Sequence, residues 1–77
     1  MHAVSDIDIF CRVVELESFS EAGRSLRIST AVVSARIQKL EDKLGVRLLN
    51  RTTRSVGVTE AGALYYATCR EVTERLR

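Results

Sequence analysis

A chain of 77 residues is long enough for one small domain, and its 45% hydrophobic and 29% charged residues indicate a folded chain. No apolar run approaches the roughly 20 residues that a membrane-spanning helix needs, and the N-terminus lacks the pattern of a secretion signal. The spacing of Cys11 and Cys69 matches no metal site, and no cofactor is indicated. We therefore expect a cytoplasmic protein in which both cysteines are small buried residues.

The net charge of +2 is unevenly distributed along the chain. Residues 1–21 carry five acidic residues and one basic residue, whereas residues 22–54 carry eight basic residues and two acidic ones. Such a basic block favours a polyanionic partner such as nucleic acid. An ordinary solvated surface would give the same pattern, so the charge supports a nucleic-acid partner without establishing it.

The first predicted helix begins after Ser5, which can form a capping box with Asp8, and it ends near Leu16. Apolar residues recur along it at helical spacing, namely Ile7, Phe10, Val13 and Val14. We expect this helix to form the back wall of the core.

A second helix is predicted after the loop at residues 17–20, with Ser20 as its N-cap and Leu26 as its last apolar residue. Gly23 within this helix costs about 1 kcal/mol relative to alanine, which indicates close packing against a neighbour. A short turn follows at Arg27 and Ile28. It contains no glycine, so Arg27 is a candidate for the left-handed conformation, which the sequence alone does not decide.

The third predicted helix begins at the N-cap Ser29 and ends at Gly45. Its predicted buried stripe consists of Val33, Ile37, Leu40 and Leu44. Two helices joined by so short a turn share one core and leave the start of the second projecting, as in a helix-turn-helix, whose second helix enters the DNA major groove. The side chains opposite the stripe are short or hydrogen-bonding, and we expect them to reach DNA bases: Thr30, Ala31, Ser34, Ala35 and Gln38. The basic residues expected to reach the DNA backbone beside them are Arg36, Lys39 and Lys43.

Residues 46–58 predict a short β-hairpin with Arg51 and Arg54 near its tip. Such a hairpin can act as a wing, since arginine is attracted into a narrow minor groove; a plain surface hairpin is the alternative. A fourth helix is predicted after Thr59, and it is longer than residues 1–58 can cover. The same helix of a second copy would cover its far half. The residues of this predicted dimerisation face are Leu64, Tyr65, Thr68, Cys69, Val72 and Leu76.

The order of these elements, together with several runs of residues, resembles the N-terminal DNA-binding domain of LysR-type transcriptional regulators. Matching runs are FCRVV at 10–14, SFS at 18–20, LGVRLL at 44–49 and TEAG at 59–62. The resemblance implies a mainly α fold: a winged helix-turn-helix in residues 1–58, with a three-helix core and a two-stranded wing, and a dimerising linker helix in residues 59–77. It also implies that the family's effector-binding domain, and with it any small-molecule effector site, is absent from this chain.

The resemblance further implies a homodimer that binds an interrupted inverted repeat in promoter DNA. It assigns base reading to Thr30, Ala31, Ser34 and Ala35, backbone contacts to Ser18, Ser20, Ser29 and Arg51, and the minor groove to Arg54. The family often has Gln-Pro where this chain has Thr30 and Ala31, and Ala35 replaces a frequently polar residue. Because threonine and alanine cannot bond bidentately to adenine, we expect lower base specificity, with more reliance on thymine methyl groups, Gln38 and DNA shape.

Three alternatives differ in class. A winged-helix module for protein–protein assembly would need an apolar or charge-mixed face on the third helix, which Thr30, Ser34 and the two lysines oppose. An enzyme is not expected, because the single histidine is His2 and no nucleophile is paired with a base. A redox switch through a disulfide between the Cys69 residues of two copies is the third alternative.

Overall fold

The computed structural model describes residues 5–51 and 56–75. Within them the elements follow the order α1 (Asp6–Leu16), α2 (Phe19–Leu26), α3 (Thr30–Leu44), β1 (Leu49–Arg51), β2 (Val56–Val58) and α4 (Glu60–Arg75). Within these residues, none of the helices combines the length and the hydropathy that a membrane span requires. The predicted order of three core helices, a two-stranded wing and a long last helix is confirmed.

Helix α1 begins and ends where the sequence predicts. The Ser5 hydroxyl accepts a hydrogen bond from the Asp8 amide at 3.1 Å, and the Asp8 carboxylate accepts one from the Ser5 amide at 3.4 Å. Its fully buried side chains are Ile9, Phe10 and Val13. The predicted face included Ile7, which is only partly buried, and omitted Ile9. Helix α1 is contacted by α2, α3 and α4. Its buried surface is therefore wider than a single helical stripe and includes Ile9.

Helix α2 begins two residues earlier than predicted. Its N-cap is Ser18, whose hydroxyl accepts a hydrogen bond from the Glu21 amide at 3.1 Å, so the prediction of Ser20 as the cap is wrong. The earlier start places Phe19 on the first turn, where its ring packs partly buried against the core. At the other end Arg27 has φ 62° and ψ 41°, so it adopts the left-handed conformation.

Helix α3 is capped at both ends as predicted. The Ser29 hydroxyl accepts a hydrogen bond from the Val32 amide at 3.1 Å, and Gly45 ends the helix with φ 70°. Three residues of the predicted stripe are buried, namely Val33, Ile37 and Leu40. The prediction for Leu44 is wrong, because this side chain is 42% exposed.

Glu41 takes the buried position at the end of α3 in place of Leu44. Its side chain is only 6% exposed, and Oε2 accepts hydrogen bonds from the amides of Leu48 (2.8 Å) and Leu49 (3.1 Å). After Gly45 the chain therefore turns back over the Glu41 side of the helix, which leaves Leu44 outside.

Strands β1 and β2 form an antiparallel pair with Leu49 opposite Val58 and Arg51 opposite Val56. The turn between them, 52–55, lies outside the described residues. The hairpin is anchored by Leu48 and Leu49, which are buried in the core.

Thr59 attaches α4 to the chain entering β1. Its amide donates to the Leu48 carbonyl at 3.0 Å, and its hydroxyl donates to the Arg47 carbonyl at 2.7 Å. The same hydroxyl accepts a hydrogen bond from the Gly62 amide at 2.9 Å, which confirms Thr59 as the N-cap. A Cβ at Gly62 would overlap the Leu48 carbonyl, so the first turn of α4 needs glycine to lie this close to β1.

Candidate nucleic-acid interface

The turn between α2 and α3 determines how α3 leaves the core. The Ile28 amide donates to the Gly23 carbonyl at 2.9 Å, and Ile28 is partly buried. Because the turn is held on the core side, the first three residues of α3 are exposed. The start of this helix is therefore accessible to a macromolecular partner.

The candidate base-reading residues lie together on the outer side of α3. Thr30, Ala31, Ala35 and Gln38 are exposed, and Ser34 is partly buried. The Gln38 amide nitrogen donates to the Asp42 carboxylate at 3.1 Å, so this side chain is directed along the helix. Without charge on its first turns, this face can approach base edges closely.

Val32 is a candidate contact residue that the sequence prediction omits. Its side chain is 41% exposed and follows the exposed Thr30 and Ala31 at the start of α3. The signal is the helical phase: Val32 lies about 80° or more from every member of the buried stripe and about 60° from the exposed Ala35, at the margin of the outer face. An exposed branched apolar side chain here can contact the C5-methyl group of thymine.

The three basic candidates of α3 differ in their surroundings. Lys39 and Lys43 are exposed. Arg36 is partly buried, and its Nε donates to Asp6 Oδ1 at 2.6 Å across the start of α1. Arg36 thus joins α3 to α1, whereas the lysine side chains extend into solvent.

The serine candidates surround the N-termini of α2 and α3. Ser18 and Ser29 use their hydroxyl groups as N-caps. The hydroxyl oxygens of Ser18 and Ser20 lie 3.1 Å apart. These hydroxyl groups and the free amides of a helix N-terminus can both bind a phosphate.

Of the two wing arginines, Arg51 lies at the end of β1 and Arg54 lies outside the described residues. The Arg51 side chain is 32% exposed, and its Nη2 lies 4.0 Å from Glu41 Oε1. Its guanidinium carbon lies 4.8 Å from the centre of the Phe19 ring. The structure therefore brings Arg51 beside the N-terminus of α2.

The predicted dimerisation face divides into an inner and an outer part. Tyr65 and Cys69 face α1: the rings of Tyr65 and Phe10 are 5.4 Å apart at 65°, and Cys69 is buried. The exposed members are Leu64, Thr68 and Val72, while Leu76 lies outside the described residues. Helix α1 of the same chain thus covers Cys69 and part of Tyr65, whereas Leu64, Thr68 and Val72 are accessible to another molecule.

The two cysteines are neighbours across α1 and α4. Burial, followed by the nearby Cys69 and Glu15, raises the pKa of Cys11 from 9.0 to about 11. Burial also raises the pKa of Cys69, while hydrogen bonds with Tyr65 and Cys11 oppose the shift. Because the Cys69 thiol is covered by its own chain, the structure argues against a disulfide between the Cys69 residues of two copies.

Residues 4–63 match the family model described as "Bacterial regulatory helix-turn-helix protein, lysR family". Among curated proteins, the chain is 44% identical over 77 residues to "HTH-type transcriptional activator AaeR" of Escherichia coli (strain K12). The aligned region covers all of this chain and 25% of that protein. The chain thus spans about a quarter of the length of the curated relatives that it matches.

Two solved structures of DNA complexes are also similar. The BenM DNA-binding domain bound to benA site 1 DNA superposes with a TM-score of 0.90 at 32% identity, over 97% of this chain and 84% of that chain. The CbnR DNA-binding domain in its DNA complex gives a TM-score of 0.89 at 28% identity, over 97% and 86%. Together with the helix-turn-helix and wing described above, these matches show that the chain belongs to the lysR family of bacterial regulatory helix-turn-helix proteins.

Proposed function

We propose that this chain is the sequence-specific DNA-binding domain of a transcriptional regulator, and not an enzyme. The observation that carries the proposal is the accessible start of α3, which is uncharged on its outer face and basic farther along. This distribution suits a helix that must place short side chains against base edges and cations against phosphates. The relatives named as transcriptional regulators and the similar DNA complexes support the same function.

Helix α3 would lie in the major groove with its N-terminal half toward the bases. The base-reading residues would be Thr30, Ala31, Ser34, Ala35 and Gln38, and we add Val32 to them. Hydroxyl groups can bond to several bases, and apolar side chains discriminate thymine by its methyl group. Readout by this helix would therefore favour thymine-containing sites.

The remaining candidates would contact the DNA backbone. Lys39 and Lys43 would neutralise phosphates along the groove, and Ser18, Ser20 and Ser29 would bind phosphates at the two helix N-termini. Arg51 would contact a phosphate beside α2, and Arg54 would approach the minor groove. For Arg36, the ion pair with Asp6 favours a supporting role over the predicted direct contact.

The recognition unit would be residues 1–58, and residues 59–77 would serve as the linker that forms a homodimer. The exposed Leu64, Thr68 and Val72 support this division, because they form an outward strip on α4. A two-fold dimer would present two copies of α3 to an inverted repeat. The domain would act on promoter DNA in the cytoplasm, and any effector would bind outside these 77 residues.

The proposal is tested by comparing two variants on an operator and on unrelated DNA. Ser34→Ala should change affinity for individual base substitutions in the operator while leaving affinity for unrelated DNA nearly unchanged. Lys39→Ala should weaken binding to both and should lower the slope of log K against log salt by about one. Equal effects of both variants on both DNAs would show that α3 does not read bases.

A further inference from the structure

Arg51 is held by contacts with two other elements of the fold. We propose that Phe19 and Glu41 are positioning residues that hold the Arg51 guanidinium ready for a DNA phosphate. This inference rests on the backbone-contact role proposed for Arg51 above. It assigns a DNA-binding role to one aromatic and one buried acidic residue, neither of which is itself expected to touch DNA.

Glu41 links the end of α3 to the wing. One oxygen, Oε2, accepts hydrogen bonds from two consecutive amides, those of Leu48, just before β1, and Leu49, its first residue. The other, Oε1, faces Arg51 Nη2 at 4.0 Å. Satisfying the two amides requires only one oxygen, so the second is available to orient the guanidinium. A buried carboxylate costs desolvation free energy, which these partners offset.

Phe19 supports Arg51 from the side of α2. The guanidinium carbon lies 4.8 Å from the ring centre, within the range in which a cation is attracted to an aromatic face. Phe19 itself is partly buried against the core and is the first residue of α2. Because the ring is held by the core, its contact with the guanidinium restricts the conformations of the Arg51 side chain.

These contacts leave the donors of Arg51 available. The 4.0 Å separation from Glu41 is longer than a hydrogen bond, and stacking on a ring uses no N–H group. The guanidinium can therefore bond bidentately to a phosphate while its side chain is already ordered. Because an ordered side chain loses less conformational entropy on binding, both contacts should increase affinity for DNA of any sequence.

A double-mutant cycle with Phe19→Leu and Arg51→Ala tests the inference. Binding of the 77-residue chain to a fluorescent mixed-sequence duplex would be measured by anisotropy at several salt concentrations. Phe19→Leu should weaken binding about two- to fivefold in the wild type and negligibly when Arg51 is already alanine. Because Arg51 can still reach the phosphate in Phe19→Leu, the salt slope should stay near that of the wild type, whereas Arg51→Ala should lower it by about one.

Two further variants complete the test. Glu41→Gln keeps an acceptor for the β1 amides but removes the charge, and it should weaken binding only when Arg51 is present. If Glu41→Gln does not fold by circular dichroism, the Phe19 cycle decides alone. Tyr66→Leu removes a partly buried ring that packs on the core from α4, and it should leave the affinity unchanged.

The outcomes separate the inference from its premises. Equal losses from Phe19→Leu with and without Arg51 would overturn the positioning role. Wild-type affinity in Arg51→Ala would overturn both the inference and the phosphate contact of Arg51, while leaving base reading by α3 intact. Failure of the wild-type chain to bind any duplex would instead contradict the proposed function itself.

Discussion

A Cβ at Gly23 would lie 2.7 Å from the carbonyl oxygen of Ile28. That oxygen belongs to the turn that places α3, so the glycine lets α2 approach the turn without a clash. Alanine normally stabilises a helix by about 1 kcal/mol relative to glycine. Here we expect Gly23→Ala to destabilise the domain by about 1–3 kcal/mol, because backbone must move to relieve the clash. Urea denaturation followed by circular dichroism measures this difference.

Gly57→Ala is the matched control for that measurement. A Cβ at Gly57 would meet nothing within 4 Å, so we expect a change in the free energy of unfolding of no more than about 0.5 kcal/mol. A stabilised Gly23→Ala variant would mean that the close approach of α2 to the Ile28 carbonyl is not present in solution.

Val32 should read thymine by its methyl group. Replacing individual thymines of an operator with deoxyuridine removes only that methyl, and at one or two positions it should weaken wild-type binding several-fold. In the Val32→Ala chain, the same replacements at those positions should reduce the binding affinity clearly less than in the wild type. Competition binding with singly substituted duplexes measures the difference.

Val46→Ala is the control for that series, since Val46 is 42% exposed and lies beyond the end of α3. It makes the same chemical change at a matched exposure and should retain the wild-type sensitivity to deoxyuridine. Identical deoxyuridine profiles for wild type and Val32→Ala would exclude Val32 from base reading.

The outer strip of α4 should control assembly. Leu64 is 72% exposed, so Leu64→Glu should leave the stability of the monomer within about 0.5 kcal/mol. In a dimer the same charge would be buried in an apolar contact, and the dimer should dissociate. Sedimentation velocity with and without an inverted-repeat duplex measures the change. A Leu64→Glu chain that still occupies both half-sites with wild-type cooperativity would place the interface elsewhere.

The raised pKa of Cys11 predicts a loss of stability at high pH. Its thiol ionises near pH 11 in the folded chain, compared with an ordinary value of 9.0, because burial disfavours the thiolate. The folded state then holds a proton that the unfolded chain releases. The contribution of the protonated Cys11 thiol to the free energy of unfolding is fully present below pH 9 and is lost as the pH rises toward 11. Melting temperatures of the wild type and Cys11→Ala, measured under reducing conditions, should converge from pH 9 upward, and a constant gap would contradict the shift.

Local signals in the sequence predicted most of the fold. The N-caps Ser5, Ser29 and Thr59 are predicted because each hydroxyl precedes a run of apolar residues at helical spacing. Gly45 is predicted to end α3 because glycine, which has no Cβ, adopts the left-handed conformation that often follows a helix. The absence of glycine in the turn made Arg27 a candidate for the left-handed conformation, and the structure decides the point with a φ of 62°. These features depend on a few neighbouring residues, which the sequence displays directly.

The errors arose where distant segments decide burial. Leu44 satisfies the period of the α3 stripe, but the chain folds back over Glu41 instead, and no local rule predicts a buried glutamate. The position of Cys69 also depends on a distant segment, because α1 covers this side chain from the other end of the chain. The surroundings of Arg51 also required the structure, because Phe19 lies 32 positions away in the sequence. The site residues of α3 were predicted as a face, and their individual roles stay predictions.

Selection from a random duplex pool, followed by affinity measurements on the selected and starting pools at one salt concentration, tests the central claim most directly. We predict an inverted repeat of two half-sites that binds about a thousandfold more tightly than the starting pool. Weak binding of equal strength to both pools, lost steeply as salt is added, would contradict sequence-specific recognition by α3 and leave only phosphate binding by the basic surface.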